Sequence, residues 1–162
     1  MQATYSIRRA TEKDIPGLQH LLEQVNLVHH KGRPDLFNRT TKYGDDDLKV
    51  LLRDEHFPVL VAMGTIDDAE IPLGHAFCQI IEHKGERLLA DIRTLYIDDI
   101  CVDERVRRMG VGKGLYEACL DLARSLHCKN VTLNVWACNP GACAFYTKMG
   151  MAPLKYGMEV LL

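Results

Sequence analysis

No run of apolar residues in this chain approaches the ~18 needed to cross a membrane. Met1-Gln2-Ala3-Thr4-Tyr5-Ser6 has no signal-peptide core. There is no Cys-x-x-Cys pair. The six cysteines (Cys78, Cys101, Cys119, Cys128, Cys138 and Cys143) sit mostly within apolar patterns, and the spacing of Cys138 and Cys143 matches no common metal knuckle. Free, buried thiols in a reducing cytoplasm, with no metal, are the expectation. Neither sign of charge dominates: charged residues are 26% and the net charge is -2, which argues against nucleic acid or a membrane surface as partner. With one Trp, no internal repeat, no low-complexity stretch and no linker, residues 1–162 read as one domain with a sizeable core.

Against that neutral background one stretch stands out, Arg107-Arg108-Met109-Gly110-Val111-Gly112-Lys113-Gly114. It joins an apolar run ending at Val102 to a helical pattern starting near Val111. Glycines at such a junction let backbone N–H groups approach an anion, and a helix N-terminus adds roughly half a positive charge. Arg107, Arg108 and Lys113 add full charges. The stretch is shaped for a pyrophosphate.

The rest of the chain supplies a frame. Tyr5–Arg9 reads as a short strand. Thr11 starts a helix whose apolar face is Ile15, Leu18, Leu21, Leu22 and Val25. An irregular segment over His29–Phe37 follows, then a short helix over Asp45–Leu52. Strands are expected at Pro58–Gly64 and Leu73–Ile81 with a turn at Asp67–Glu70, and another at Leu95–Val102, starting a few residues earlier. Gly110–His127 is the clearest helix, with Val111, Leu115, Ala118, Cys119, Leu122 and Leu126 at helical spacing. Val131–Trp136 alternates as a strand. Asn139 caps a helix over Pro140–Met149 that Gly150 stops. Met158–Leu161 is read as a closing strand. Early antiparallel strands and a late β-α-β-α-β run give a mixed α/β sheet.

Three nucleotide-type patterns compete for the glycine turn. A Walker A loop needs glycine at position 107 and Ser or Thr at position 114, and the chain has Arg107 and Gly114. A dinucleotide fingerprint needs glycine at position 115, where Leu115 stands. The third pattern, (Gln/Arg)-x-x-Gly-x-(Gly/Ala), is filled by Arg107, Gly110 and Gly112. It resembles the coenzyme A pyrophosphate turn of the GNAT family of N-acetyltransferases. Tyr96-Ile97-Asp98-Asp99-Ile100-Cys101-Val102-Asp103 upstream resembles that family's central strand. Asn139-x-x-Ala142-x-x-Phe145-Tyr146-x-x-x-Gly150-Met151 downstream resembles its last helix. The resemblance spans essentially the whole chain. It implies the GNAT fold, a mixed, mostly antiparallel α/β sheet with a splayed central strand pair and helices on both faces.

The resemblance further implies acetyl transfer from acetyl-CoA, as co-substrate, to a primary amine by direct attack in a ternary complex. Amides from Arg108 to Gly114 (Arg108, Met109, Gly110, Val111, Gly112, Lys113, Gly114), with Arg107, are then the pyrophosphate site. The strand end Ile100-Cys101-Val102 is the backbone edge for the pantetheine arm. A primary alkyl amine has a pKa near 10.4, so at pH 7 its neutral form is scarce by roughly 4.6 kcal/mol. Asp98 and Asp99 are the candidate bases. Successive strand residues face opposite sides, so both serve one cleft only if the strand is bulged there. Tyr146 holds the family's general-acid position, and its alternative role is a core aromatic. Asn139 is a helix cap that also touches cofactor in the family. Cys101 lies beside the thioester, but no His is near it in sequence to make it a nucleophile.

His29, His30, Arg33 and Asp99 are the candidate acceptor contacts, because the family's loop between its first two helices walls that site. The alternative is a solvated loop anchored by Pro34, Leu36 and Phe37. The acidic pair points to a small cationic amine in the cytoplasm, with a homodimer as possible assembly. Rival classes are a protein lysine or N-terminal acetyltransferase, a non-catalytic CoA-binding sensor, and a structural α/β module using the glycine turn for packing.

Overall fold

Five strands form one sheet in sequence order: β1 (Tyr5–Arg9), β2 (Val59–Ile66), β3 (Ala69–His83), β4 (Ile92–Val102) and β5 (Asn130–Leu133). The computed structural model describes residues 4–162; Met1-Gln2-Ala3, the start of the stretch without a signal-peptide core, lie outside the described residues. β1 to β4 pair antiparallel, and β4 pairs β5 in parallel. The β2–β3 hairpin closes through Asp67 and Asp68, both left-handed (φ 50° and 62°), as a tight hairpin with the right twist requires. The helices are α1 (Ile15–Gly32), α2 (Asp45–Arg53), α3 (Val111–Ser125) and α4 (Pro140–Lys148). None among the described residues is long and apolar enough to cross a membrane.

Strand parity sorts the core into two layers. Val59, Val61 and Met63 of β2, with Phe77 of β3, meet Ile15, Leu18 and Leu22 of α1 and Leu48 of α2. Leu60, Ala62, Ala76, Cys78, Leu95 and Ile97 face the other way, onto Val111, Leu115, Tyr116 and Cys119 of α3. With both faces covered, β2 reads as a continuous apolar run rather than an alternating one. Asp14 anchors the entry to α1: it accepts from Thr11 N (2.7 Å) and from both terminal nitrogens of Arg8 (2.8 and 2.9 Å).

Two irregularities set β4 apart from the other strands. Phe77 pairs with Asp99 but Cys78 pairs with Ile97, so Asp98 is an extra residue, a β-bulge. β4 also pairs β5 only from Thr94 to Ile97. Beyond Ile97 the strands part, and the stretch Asp98–Val102 keeps a free edge on that side.

Three segments differ from the sequence reading. α1 runs past His29 and His30 to Gly32, where an irregular segment was expected. Its last turn carries His29, His30 and Lys31, which suit a helix C-terminus. The helix stops at Pro34, which forces Arg33 out of helical geometry (φ -143°). β5 ends at Leu133, so Trp136 stands beyond the strand. Finally, no closing strand forms at Met158–Leu161: residues 149–162 have no regular structure, and Met158 and Val160 are 91% and 81% exposed. A lone strand needs an edge to pair with, and this segment reaches none.

Candidate active site

The glycine turn begins where β4 ends. Buried Asp103 fixes that end by accepting from the backbone N of Arg105 (3.0 Å) and from its guanidinium Nε (3.0 Å) and Nη2 (2.8 Å). These bonds from Arg105 hold the Asp103 carboxyl below the usual carboxylate range, against the effect of burial. Arg107 folds back so that its Nε donates to the Val102 carbonyl (3.2 Å). Arg108 and Gly110 have positive φ (64° and 92°), and Met109 between them does not. Alternating handedness makes successive N–H groups converge on a concave anion site. The first bond of α3 runs from Gly114 N to Gly110 O (3.0 Å), so the amides of Val111, Gly112 and Lys113 precede the helical ladder.

The two helix glycines differ. A methyl group at Gly114 would sit 2.3 Å from Tyr5 Oη, so packing demands that glycine. A methyl group at Gly112 would make ordinary contacts with Val102 (3.4 Å) and the Phe145 ring (3.7 Å). Nothing in the fold requires glycine at Gly112, and the space it leaves opens beside the β4 end. The residues present therefore fit an anionic group held at the head of α3.

The bulge puts both carboxylates of the acidic pair on the α1/α2 side of the sheet, but in different company. Both oxygens of Asp98 accept from Lys42 Nζ (2.7 and 2.6 Å), and one also from Tyr43 Oη (3.0 Å). Asp99 instead bonds His75 through Oδ2, at 2.6 Å to Nε2. Phe77 lies between the two arrangements, against Tyr43 (centroids 5.5 Å) and edge-on to His75 (4.8 Å). Burial, followed by the Asp98 charge, pushes the Tyr43 phenol well above its ordinary pKa.

Tyr146 of α4 packs against Phe145 (5.1 Å) and Tyr116 (6.3 Å). Burial, then the Asp99 charge, pushes its phenol well above the ordinary value, so it stays protonated. Cys101 is buried two residues beyond Asp99. Burial and then the Asp99 charge push its thiol up to about 12, which leaves negligible thiolate at neutral pH. All six cysteines are free thiols, but only Cys78, Cys101 and Cys119 are fully buried; Cys143 is exposed. Asn139 caps α4, its Oδ1 accepting from Ala142 N (3.2 Å).

The end of α1 and the loop after it form a wall. His29 stacks on Phe37 (5.1 Å, 28° between planes), and Phe37 meets Trp136 edge-on (4.9 Å). His29 is half-buried; burial lowers its pKa and the Asp99 charge opposes that. His30 Nδ1 bonds the Phe37 carbonyl (2.7 Å), and Arg33 is held by Asp35 (2.8 Å) and by Glu159 of the C-terminal segment (2.9 Å). Of the four acceptor-side candidates, His29 lies within reach of the Asp99 charge, while His30 and Arg33 brace the loop. Asp47 accepts from Gly44 N (2.9 Å) as part of the α2 cap.

Sequence reasoning missed His75, Lys42, Tyr43 and Trp136. His75 sits inside an apolar strand pattern, and only its parity with Phe77 hints at the face it takes. A groove of about 410 Å³ between α3, β5 and Gly150–Ala152 contains none of the candidate residues. A cavity of about 40 Å³ borders Asp98, with Tyr43 and Phe77 in its lining. No group of three or more His, Cys, Asp or Glu among the described residues is arranged to hold a metal.

Comparison with known proteins gives the same frame. The acetyltransferase (GNAT) family matches residues 22–151. Over 156 residues the chain is 26% identical to glucosamine 6-phosphate N-acetyltransferase of Arabidopsis thaliana, covering 94% of this chain and 93% of that protein. A tetramutant of the BH1408 protein of Bacillus halodurans superposes with a TM-score of 0.89 at 28% identity, over 97% of this chain and 99% of that one. An aminoglycoside N-acetyltransferase in complex with CoA shares the fold, with a TM-score of 0.70 at 16% identity over 100% of this chain and 97% of its own. With the family matched over most of its length and the same elements in the same order, the chain belongs to the acetyltransferase (GNAT) family, and N-acetyl transfer is its class of chemistry.

Proposed function

We propose that this protein transfers the acetyl group of acetyl-CoA directly to a small cationic amine within a ternary complex. The observation that carries the reading is the meeting of three parts at one strand end. These are a backbone edge at Ile100-Cys101-Val102 that β5 leaves unpaired and whose Val102 carbonyl is held by Arg107, a carboxylate at Asp99, and a protonated phenol at Tyr146. Acetyl-CoA supplies the activated acyl group. The chain's part is to hold it, to take a proton from the amine, and to donate one toward the departing sulfur.

Asp99 suits the base role better than Asp98. The Asp98 carboxylate already satisfies Lys42 and Tyr43, whereas Asp99 has one described partner and its Oδ1 remains available. Asp98 then acts at one remove, as the counter-charge that holds Lys42 and Tyr43 beside the cleft. Tyr146, kept protonated, is fitted to donate to developing thiolate, a role worth roughly 10²–10⁴ in rate. The Cys101 thiol, pushed up to about 12 by burial, speaks for direct attack over an acyl-enzyme. The arginines, Lys113 and the amides from Arg108 to Lys113 would bind the pyrophosphate, the Gly114 N–H being taken by the Gly110 carbonyl.

The Arabidopsis relative favours a second acceptor, a phosphorylated amino sugar. Arg33, in the loop that carries Phe37, is already neutralised by Asp35 and Glu159, which weighs toward an unphosphorylated amine. An amine panel read out as free CoA thiol decides between them. It should hold alkyl amines, polyamines, amino sugars with and without 6-phosphate, and lysine and N-terminal peptides. Turnover confined to peptides would overturn the small-molecule reading. CoA binding with no turnover on any amine would leave a sensor.

A further inference from the structure

His75 is the one buried side chain among the described residues with a polar atom left unpaired. It is 0% exposed, its Nε2 lies 2.6 Å from Asp99 Oδ2, and its Nδ1 has no hydrogen-bond partner. A buried orphan of this kind usually has a compensating purpose. The fold does not need an imidazole here: the neighbours are Phe77, edge-on at 4.8 Å, and the paired strand residue Cys101.

We propose that His75 is a positioning residue for the acetyl-transfer reaction, fixing the Asp99 carboxylate so that Oδ1 is turned to the acceptor amine. This rests on Asp99 being the base.

The tautomer follows from the contacts. An ionised carboxylate only accepts, so Nε2 carries the hydrogen and donates to Oδ2. A proton on Nδ1 would be a charged donor with no partner in a fully buried position, whereas a bare Nδ1 is only an unused acceptor. The neutral Nε2–H form is therefore the one that the site holds. In that form His75 has no place to receive the amine's proton: Nε2 is filled and Nδ1 faces no acceptor or donor. The proton lost by the amine settles on Asp99 Oδ1, the N–H bond breaking as the O–H bond forms. The His75 bond on Oδ2 persists throughout and keeps the carboxylate from rotating.

The other ionisable groups around Asp99 are His29 from α1, Lys42 and Tyr43 from the segment before α2, Asp98 and Cys101 on β4, and Tyr146 from α4. Of these, His29 also titrates on the acid side, so pH profiles are to be repeated in a His29→Gln background.

The experiment compares wild type with His75→Phe, His75→Gln and Asp99→Asn, using the best amine from the panel. A bond to an ionised group gives on the order of ten- to a hundredfold in rate when lost. His75→Phe should lower kcat/KM for the amine by that factor and leave acetyl-CoA affinity unchanged. It should also move the acid limb of the pH profile, because the carboxylate loses its donor. His75→Gln places an amide donor near the Nε2 position and should restore much of both effects, with thermal melting confirming that each variant folds. If His75→Phe keeps the wild-type rate and acid limb while Asp99→Asn loses activity, the positioning role is wrong and the base assignment stands. If Asp99→Asn is itself fully active, both fall.

Discussion

Replacing Gly114 with alanine tests the most tightly specified contact beneath the pyrophosphate turn. Gly114 lies in the first turn of α3, where alanine is favoured intrinsically by about 1 kcal/mol. Propensity alone therefore says that Gly114→Ala stabilises the protein. The packing says the opposite. The new methyl carbon would lie 2.3 Å from Tyr5 Oη and 3.0 Å from two ring carbons, so the ring must swing away. That movement breaks the bond from Tyr5 Oη to the Gly110 carbonyl (3.1 Å), which ties β1 to the start of α3. Overpacking costs about 1–3 kcal/mol and the lost bond about 0.5–1.5 kcal/mol. Less the gain in propensity, the net loss is about 0.5–3.5 kcal/mol. For a domain of this size that lowers Tm by roughly 2–4 °C per kcal/mol. Circular dichroism melts measure it directly. The double variant Tyr5→Ala with Gly114→Ala should be less destabilised than the two single changes added together, because the small side chain has nothing to clash with. A Gly114→Ala protein that melts at or above wild type would show that helix propensity outweighs this contact, and that Tyr5 does not brace the turn.

Tyr146→Phe should lower kcat by a factor of roughly 10²–10⁴ with acetyl-CoA affinity nearly intact, and an unchanged kcat would remove the phenol from the mechanism. Cys101→Ala should keep turnover within a few-fold, and intact-mass spectrometry of wild type with acetyl-CoA should find no acetylated Cys101; a stable adduct that an amine discharges would restore the covalent route. Burial raises the Asp14 pKa, but the bonds from Arg8 and Thr11 outweigh it and hold the carboxyl low. Its stabilisation is then full above the unfolded value near 3.9 and fades as the pH falls through the lower folded value. Asp14→Asn should cost about 1–2 kcal/mol at pH 7, with the gap to wild type closing below about pH 4; a gap that persists in strong acid refutes the ion pair as its source. The exposed apolar residues of the C-terminal segment suit a second copy of the chain as their cover. Light scattering should then give a dimer mass that truncation after Leu154 reduces to a monomer, and a wild-type monomer at high concentration would end that idea.

How far the sequence carried depended on whether each feature was local. The pattern Val111, Leu115, Cys119 and Leu122 is a property of one helix, and α3 lies where it indicates. The hairpin turn at Asp67-Asp68 and the cap at Asn139 are equally local. The strand readings over Val131–Trp136 and Met158–Leu161 overreached for one shared reason, their reliance on local pattern. It says which residues suit a strand, and it is silent on whether an edge is in reach. β5 stops because β4 diverges from it, and the C-terminal segment finds no edge at all. His75 was hidden differently. It becomes visible only when the register of β3 on β4, which pairs it with Cys101, lets its ring reach Asp99, 24 residues away in sequence.

The bulge at Asp98 ties the two halves of the site together. In an unbroken strand Asp98 and Asp99 would project to opposite faces, one of them into the apolar layer under α3. The extra residue turns both toward the α1/α2 side, where two adjacent carboxylates would repel. Each is separately provided for: Asp98 by Lys42 and Tyr43, Asp99 by His75. The same bulge immediately follows Ile97, the last residue of β4 that pairs with β5. One inserted residue thus gathers the carboxylates on the α1/α2 side, at the place where β4 parts from β5. Deleting Asp98 would restore regular pairing with Asp99 still opposite Phe77, but it would remove the carboxylate that holds Lys42 and Tyr43. The placement of both carboxylates on one side of the sheet, with Asp98 retained, therefore depends on that single irregularity.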